Sequence, residues 1–264
     1  MRNLDNLNPD ILRPSKLAGI SVVTSFALTL LSIPLADGAA PNIPISENLI
    51  LFVIFIIFGM SALLALASLI FRWGWKAKHY GIPFLSFASV SYLGIVPCLA
   101  VVLYSHAPYW IRGITLLVYG VSHFFWCRKF TLLYARAFSD AILRASIYEE
   151  ESDAVYYMRR GDEFLLEKYF KFSQMPQDRY FAFFIVVGIA MIPLMSSVRT
   201  LIGLPFVHIF LLVAMLPVSW MGIGFAVRGF LIFYLYPTRI KKMTGKDVYV
   251  DLVNKPRCRP VKPR

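Results

Sequence analysis

"LILFVIFIIFGMSALLALASLIF", residues 49–71, runs for twenty-three residues without a charge. At 1.5 Å per residue such a helix is about 35 Å long, enough to cross a bilayer's ~30 Å of hydrocarbon. Backbone in lipid must satisfy its own hydrogen bonds, so the run is a helix unless it closes a barrel. It lacks the polar and apolar alternation of a barrel strand. The stretch therefore reads as a membrane helix, and the same signal recurs on both sides of it.

Upstream lies residues 17–36, and downstream lie 82–104, 108–126, 180–198 and 206–236. Only 16% of residues are charged, against roughly 25% in a soluble domain. The chain thus reads as all-α, a polytopic membrane protein with six transmembrane helices. The last run is too long for one upright span; it tilts, bends at Pro217, or continues as an interfacial helix beyond Arg228. The first run follows Arg13 and Lys16 and precedes "ADGAA", as a secretory signal would. Its apolar part exceeds the usual ~7–15 residues, so it reads as a retained span.

Lys and Arg outside the runs set the orientation. The N-terminus carries three, the link between the second and third runs three, residues 127–179 nine, and the tail from 237 nine. The alternate links hold only Arg112 and Arg199. Both termini then face the cytoplasm, in the inner membrane of a bacterium. Four regions follow: a four-span part over 1–126, a cytoplasmic insertion over 127–179, a two-span part over 180–236, and a basic tail over 237–264.

The insertion is balanced, with nine acids and nine bases. Phe130, Tyr134, Ala137, Phe138, Ala141, Ile142 and Ala145 recur at helical spacing, opposite Lys129, Arg136, Asp140 and Arg144. Glu149, Glu150, Glu151 and Asp153 then supply a turn, with an N-cap for a second helix at Ser152 or Asp153. After Arg159 and Arg160, Gly161 closes that helix and Asp162 caps a third, running to Phe172. The insertion reads as a cytoplasmic helical hairpin, or three short helices, under the membrane.

The string "RGDEF", residues 160–164, resembles the signature of diguanylate cyclases for five residues. In that family two adjacent glycines admit the nucleotide, whereas Arg160 fills the first of those positions here. The family's domain also needs alternating strands and helices, which 53 helical residues do not supply. The resemblance is set aside, and Gly161 with Asp162 reads as the elbow between two helices.

The tail holds nine bases and two acids, a composition for docking anionic lipid headgroups. No recognition motif points to nucleic acid. Within it "DVYVDLV", residues 247–253, alternates as a short strand that adds to a partner's sheet.

All fifteen acids lie outside the six runs, which disfavours a proton- or sodium-coupled carrier. Cys98, Cys127 and Cys258 have no metal-ligand spacing. His79 and His123 fall on one side and His106 and His208 on the other, so they do not pair as haem ligands. No cofactor, metal or enzymatic motif is expected. His123 and His208 make polar contacts between helices. Arg228 snorkels to the interface, or binds an anionic lipid or a partner. "GMSALLALAS", residues 59–68, together with Gly222 and Gly224, offers small surfaces for close packing within the bundle.

The expected function is contact: an accessory subunit of a membrane machine, or a protective protein of the immunity or exclusion type. Its partner is a membrane protein or a second copy of the chain. The alternative is a small transporter or channel.

Overall fold

The computed structural model describes residues 13–71, 74–158, 178–190 and 192–251. The elbow read at Gly161 and Asp162, with Arg159 and Arg160 before it, lies outside them.

The chain is predominantly helical, and four of its helices are long and apolar enough to cross a membrane. The first is α1 (Pro14–Ala39), opened by Pro14, whose missing N–H costs nothing in a first turn. The second is α2 (Leu49–Ile70), in which the opening stretch appears as expected. The third, Ala77–Tyr104, is composite. Its parts, α3 (Ala77–Ser86) and α4 (Tyr92–Tyr104), are joined by a 3₁₀ stretch, Phe87–Ser91.

The fourth, Leu216–Thr244, comprises α10 (Leu216–Phe230), a π-helical turn (Leu231–Leu235) and α11 (Tyr236–Thr244). It answers the question raised by the long run 206–236. The break falls at Met215, after α9 (Phe206–Ala214), and Pro217 sits harmlessly in the first turn of α10. Beyond Arg228 the helix continues as part of the same span.

Two of the six expected spans fall outside these four. The run 108–126 lies within α5 (Tyr109–Ser139), a 31-residue helix that is not among the four. Arg112, Thr115, Tyr119, Ser122 and His123 dilute its apolar character. The run 180–198 is broken into α7 (Asp178–Ala190), a 3₁₀ turn (Ile192–Leu194) and α8 (Met195–Ile202). The described part of α7, thirteen residues, is about 20 Å long. Gly203 then turns the chain at φ 76°, and α8 meets α9 at 93°, a bent pair that would make a fifth span.

The helical hairpin expected in 127–179 is also corrected over its described part. After α5, Asp140 caps α6 (Ala141–Ile147) by accepting from the amides of Ile142 and Leu143. The chain then becomes β: β1 (Tyr148–Glu150) pairs antiparallel with β2 (Val155–Met158). The first two residues of "EEESD" end β1 and the rest form the turn of this β-hairpin, closed by the Glu151 amide donating to the Ala154 carbonyl, and not the cap of a second helix. β3 (Val248–Asp251) pairs parallel with β2, so the strand expected in the tail joins the chain's own sheet.

The bundle thus has two ends. At the loop end residues 40–48, 105–108 and 203–205 gather; the His106 amide donates to the Ile202 carbonyl there, 2.7 Å. At the base residues 74–77, the β-hairpin and β3 gather, and the Val250 amide donates to the Trp75 carbonyl, 2.8 Å. One apolar core, with Phe130, Tyr134, Tyr156, Tyr157 and Phe233, fills the base, and a smaller one, with Ile50, Ile54, Val96 and Leu204, fills the loop end. Phe52, Leu63, Ile70, Leu117, Val121 and Phe124 each leave more than half their surface outside. So broad an apolar belt suits hydrocarbon and not water.

Part of the expected small-residue surface seals this bundle, while Gly59 has nothing within 4 Å of its Cβ position. Ser61, Ala65 and Ser68 are buried on α2. A Cβ on Gly222 would stand 2.9 Å from the Ser91 amide nitrogen, and one on Gly224 2.9 Å from the Phe130 ring.

Candidate functional site

Polar chemistry concentrates in three places: the base, the 3₁₀ stretch in mid-bundle, and the loop end. The base draws its parts from four distant segments. Gly245, at φ 75°, ends α11 and sends Asp247 back beneath the bundle. Its carboxylate accepts from Lys76 Nζ at 2.8 Å and from Lys241 Nζ at 2.7 Å. These two lysines hold the Asp247 carboxyl down to about 2, the Lys241 hydrogen bond contributing most, and the bond to Asp247 raises Lys76 in return. Next to it Lys246 Nζ donates to Glu150 Oε1 at 2.7 Å and to the Glu151 carbonyl at 2.8 Å, joining β3's approach to the hairpin turn.

Above this ionic floor sits an aromatic layer. Arg228 on α10 donates from Nη2 to the Tyr157 hydroxyl at 2.9 Å, and its guanidinium carbon lies 5.4 Å from the centre of the Phe84 ring. Phe84 and Tyr157 both pack on Phe233, at 5.5 and 4.9 Å between centroids. A cation over a desolvated ring gains about 0.5–2 kcal/mol. Arg228 therefore reaches toward the base, and what it meets there is the protein's own hairpin.

The π turn explains the other hairpin tyrosine. In an i→i+5 ladder the donor for the Ile232 carbonyl would be residue 237, a proline without an N–H. The Tyr148 hydroxyl supplies that bond at 2.6 Å. Phe138 stacks on Tyr236 at 4.1 Å, nearly parallel, closing the layer beside it.

In mid-bundle, His123 of α5 meets Ser219 of α10. Nδ1 lies 2.7 Å from the Tyr119 carbonyl, which can only accept, so Nδ1 carries the proton. Nε2 then accepts from the Ser219 hydroxyl at 2.8 Å, and Ser219 Oγ accepts from the Tyr119 hydroxyl at 2.8 Å. Ser219 also stands 3.4 Å from the Ser91 carbonyl, where the 3₁₀ stretch ends. That stretch and the residue before it form a hub: Ser89 bonds to Ser25 of α1 at 2.8 Å, and Ser86, the last residue of α3, donates to the Ser61 carbonyl of α2 at 3.2 Å.

At the loop end His208 Nε2 donates to the Leu35 carbonyl at 2.7 Å, while Asn48 Nδ2 donates to the Ala36 carbonyl at 2.9 Å. Both carbonyls belong to the last turns of α1, and that of Ala36 is among the four at its end that lack an intrahelical donor. Nearby an apolar cavity of about 450 Å³ opens between α4, α5, α8 and α9, bounded by Val101, His106, Ile111, Leu201 and Ile209.

The expected site residues are therefore dispersed. His123 and His208 do contact other helices, but at different levels. Glu150 is paired; Glu149 and Glu151 are half-buried in the hairpin and Asp153 is exposed at its turn. Among the described residues no group of three His, Cys, Asp or Glu side chains could hold a metal. Sequence reading misses Tyr119, Ser219, Tyr148, Tyr157 and the Lys76–Asp247–Lys241 cluster, because each pairing joins residues far apart in the chain. The one local hint is Tyr119 four residues before His123, which puts both on one face of α5. Set against known proteins, the chain matches no family model, no curated protein and no solved structure.

Proposed function

We propose that the chain is a non-enzymatic multi-pass membrane protein that works through contacts, as an accessory subunit of a membrane machine or as a protective protein of the immunity or exclusion type. Its base faces the cytoplasm of a bacterium, and its partner is another membrane protein or a second copy. One observation carries this reading: three segments far apart in the chain are tied by Lys76, Asp247, Lys241, Lys246 and Glu150 into a sheet-backed platform. A preordered surface presents its residues to a partner without the cost of ordering them on binding. The basic tail from 237 adds affinity for anionic headgroups.

The test is capture from intact membranes with a photo-reactive residue at Glu149. The proposal expects one stoichiometric membrane partner, lost with Glu149→Arg plus Asp153→Arg and retained with Leu117→Ala on the lipid face. Purified protein that carries solute or ion flux in liposomes, abolished by Arg228→Gln, would refute it. That result would favour the second reading, a small transporter or channel. This alternative is supported by the 3₁₀ interruption at Phe87–Ser91 within a span, since discontinuous helices line many transport sites.

A further inference from the structure

We propose that His123 is a proton-binding site, built so that the bundle accommodates the proton without orphaning any polar group. With His123 neutral, hydrogen bonds run from the Tyr119 hydroxyl to Ser219 Oγ and from the Ser219 hydroxyl to Nε2. Uptake of a proton at Nε2 turns that nitrogen into a donor. Ser219 Oγ then accepts from Nε2, and its own hydrogen rotates to the Ser91 carbonyl already standing 3.4 Å away. No covalent bond other than the new N–H forms or breaks. Nδ1 keeps its hydrogen on the Tyr119 carbonyl in both states.

Burial in the bundle opposes the charged form, so its stabilisation comes from neighbouring groups. The Tyr119 ring lies 3.9 Å from the imidazole, centre to centre, and an aromatic face so close attracts a cation. The other titratable groups on the packed elements are tyrosines, cysteines, Lys129 and arginines. Tyr119 belongs to the site, and Cys98 of α4 is near enough to act on it electrostatically. Lys129 lies six residues further along α5, with its ammonium 4.9 Å from the Trp126 ring. Arg228 lies nine residues further along α10, about 13 Å away at 1.5 Å per residue. No carboxylate occurs on α4, α5, the 3₁₀ stretch or α10. The imidazole is therefore the one group on these elements whose ordinary range of titration is pH 5–8.

Because Ser91 terminates the 3₁₀ hub, the proton decides whether α10 is bonded to α5 alone or also to that hub. Proton occupancy thus acts on the packing of three elements. This holds whether or not the chain has a protein partner.

The experiment is a ¹⁵N-histidine NMR titration of the full chain in lipid nanodiscs, from about pH 8 to about pH 4. His123→Gln identifies the signal by its loss. Should that variant fail to insert, Tyr119→Phe, which keeps the ring, identifies it by its displacement. The expected signal has hydrogen on Nδ1 and none on Nε2 at high pH, and becomes doubly protonated within the range. In Ser219→Ala the imidazolium loses its acceptor, so the midpoint falls by on the order of one pH unit, the effect of one charge-assisted hydrogen bond. Hydrogen on Nε2 at high pH, no conversion down to about pH 4, or a midpoint unmoved by Ser219→Ala overturns the proposal.

Discussion

Single residues here hold together elements that their own sequences would not join. Tyr148 is the clearest case, since its hydroxyl replaces the N–H that Pro237 cannot offer to Ile232. Tyr148→Phe keeps the buried ring and removes only that donor, so an SDS or urea titration in mixed micelles should show a loss of about 1–3 kcal/mol. Asp247 behaves differently because it is about one-third exposed. Asp247→Asn should cost about 1 kcal/mol, the upper range for exposed ion pairs. Its carboxyl titrates below its unfolded value, so this contribution is complete above the ordinary carboxylate range and fades as pH falls toward about 2. Lys76 is raised, so its share is complete below the ordinary lysine value and is lost as pH rises through the raised one. Thermal unfolding of the wild type and Asp247→Asn should therefore converge in acid and differ most near neutrality.

At the scale of elements, the interruptions are more informative than the helices. Gly222 lets α10 press against the 3₁₀ stretch, and a Cβ there would meet backbone. Gly222→Ala should destabilise by about 1–3 kcal/mol as an overpacked contact, whereas Gly59→Ala, with open space around it, should be nearly neutral in the same assay. The helices themselves are legible in sequence wherever the apolar run is uniform, as in α2. Legibility fails where tertiary contacts override the local signal. "EEESD" looks like a helix start because acids cap helices well, yet "VYYM" after it is a β-rich tetrad that pairs with β1 just before it and with β3, some ninety residues on. The 3₁₀ stretch has no sequence mark beyond its serines, and the π turn only the proline after it. The break at Met215 appears as a run too long for one span, which locates a problem without locating the residue.

At the scale of the whole molecule, composition and run lengths suffice to show helices long and apolar enough for a bilayer. They do not give the number that cross, since α5 mixes polar side chains into a helix of spanning length and the bent pair α8–α9 leaves the fifth crossing to its surroundings. Charge placement extends the proposal to orientation: among the described residues Lys76, Lys241 and Lys246 lie at the base, and the links at the loop end hold almost no bases. The platform reading depends on that orientation, because a contact surface under the membrane requires the hairpin and β3 to face the cytoplasm. Impermeant maleimide labelling of single cysteines at Asp37 and Glu150, both exposed, in a cysteine-free background tests it most directly. The account predicts that Asp37→Cys is labelled in intact cells and Glu150→Cys only after the membrane is opened. Labelling of Glu150→Cys in intact cells would contradict it.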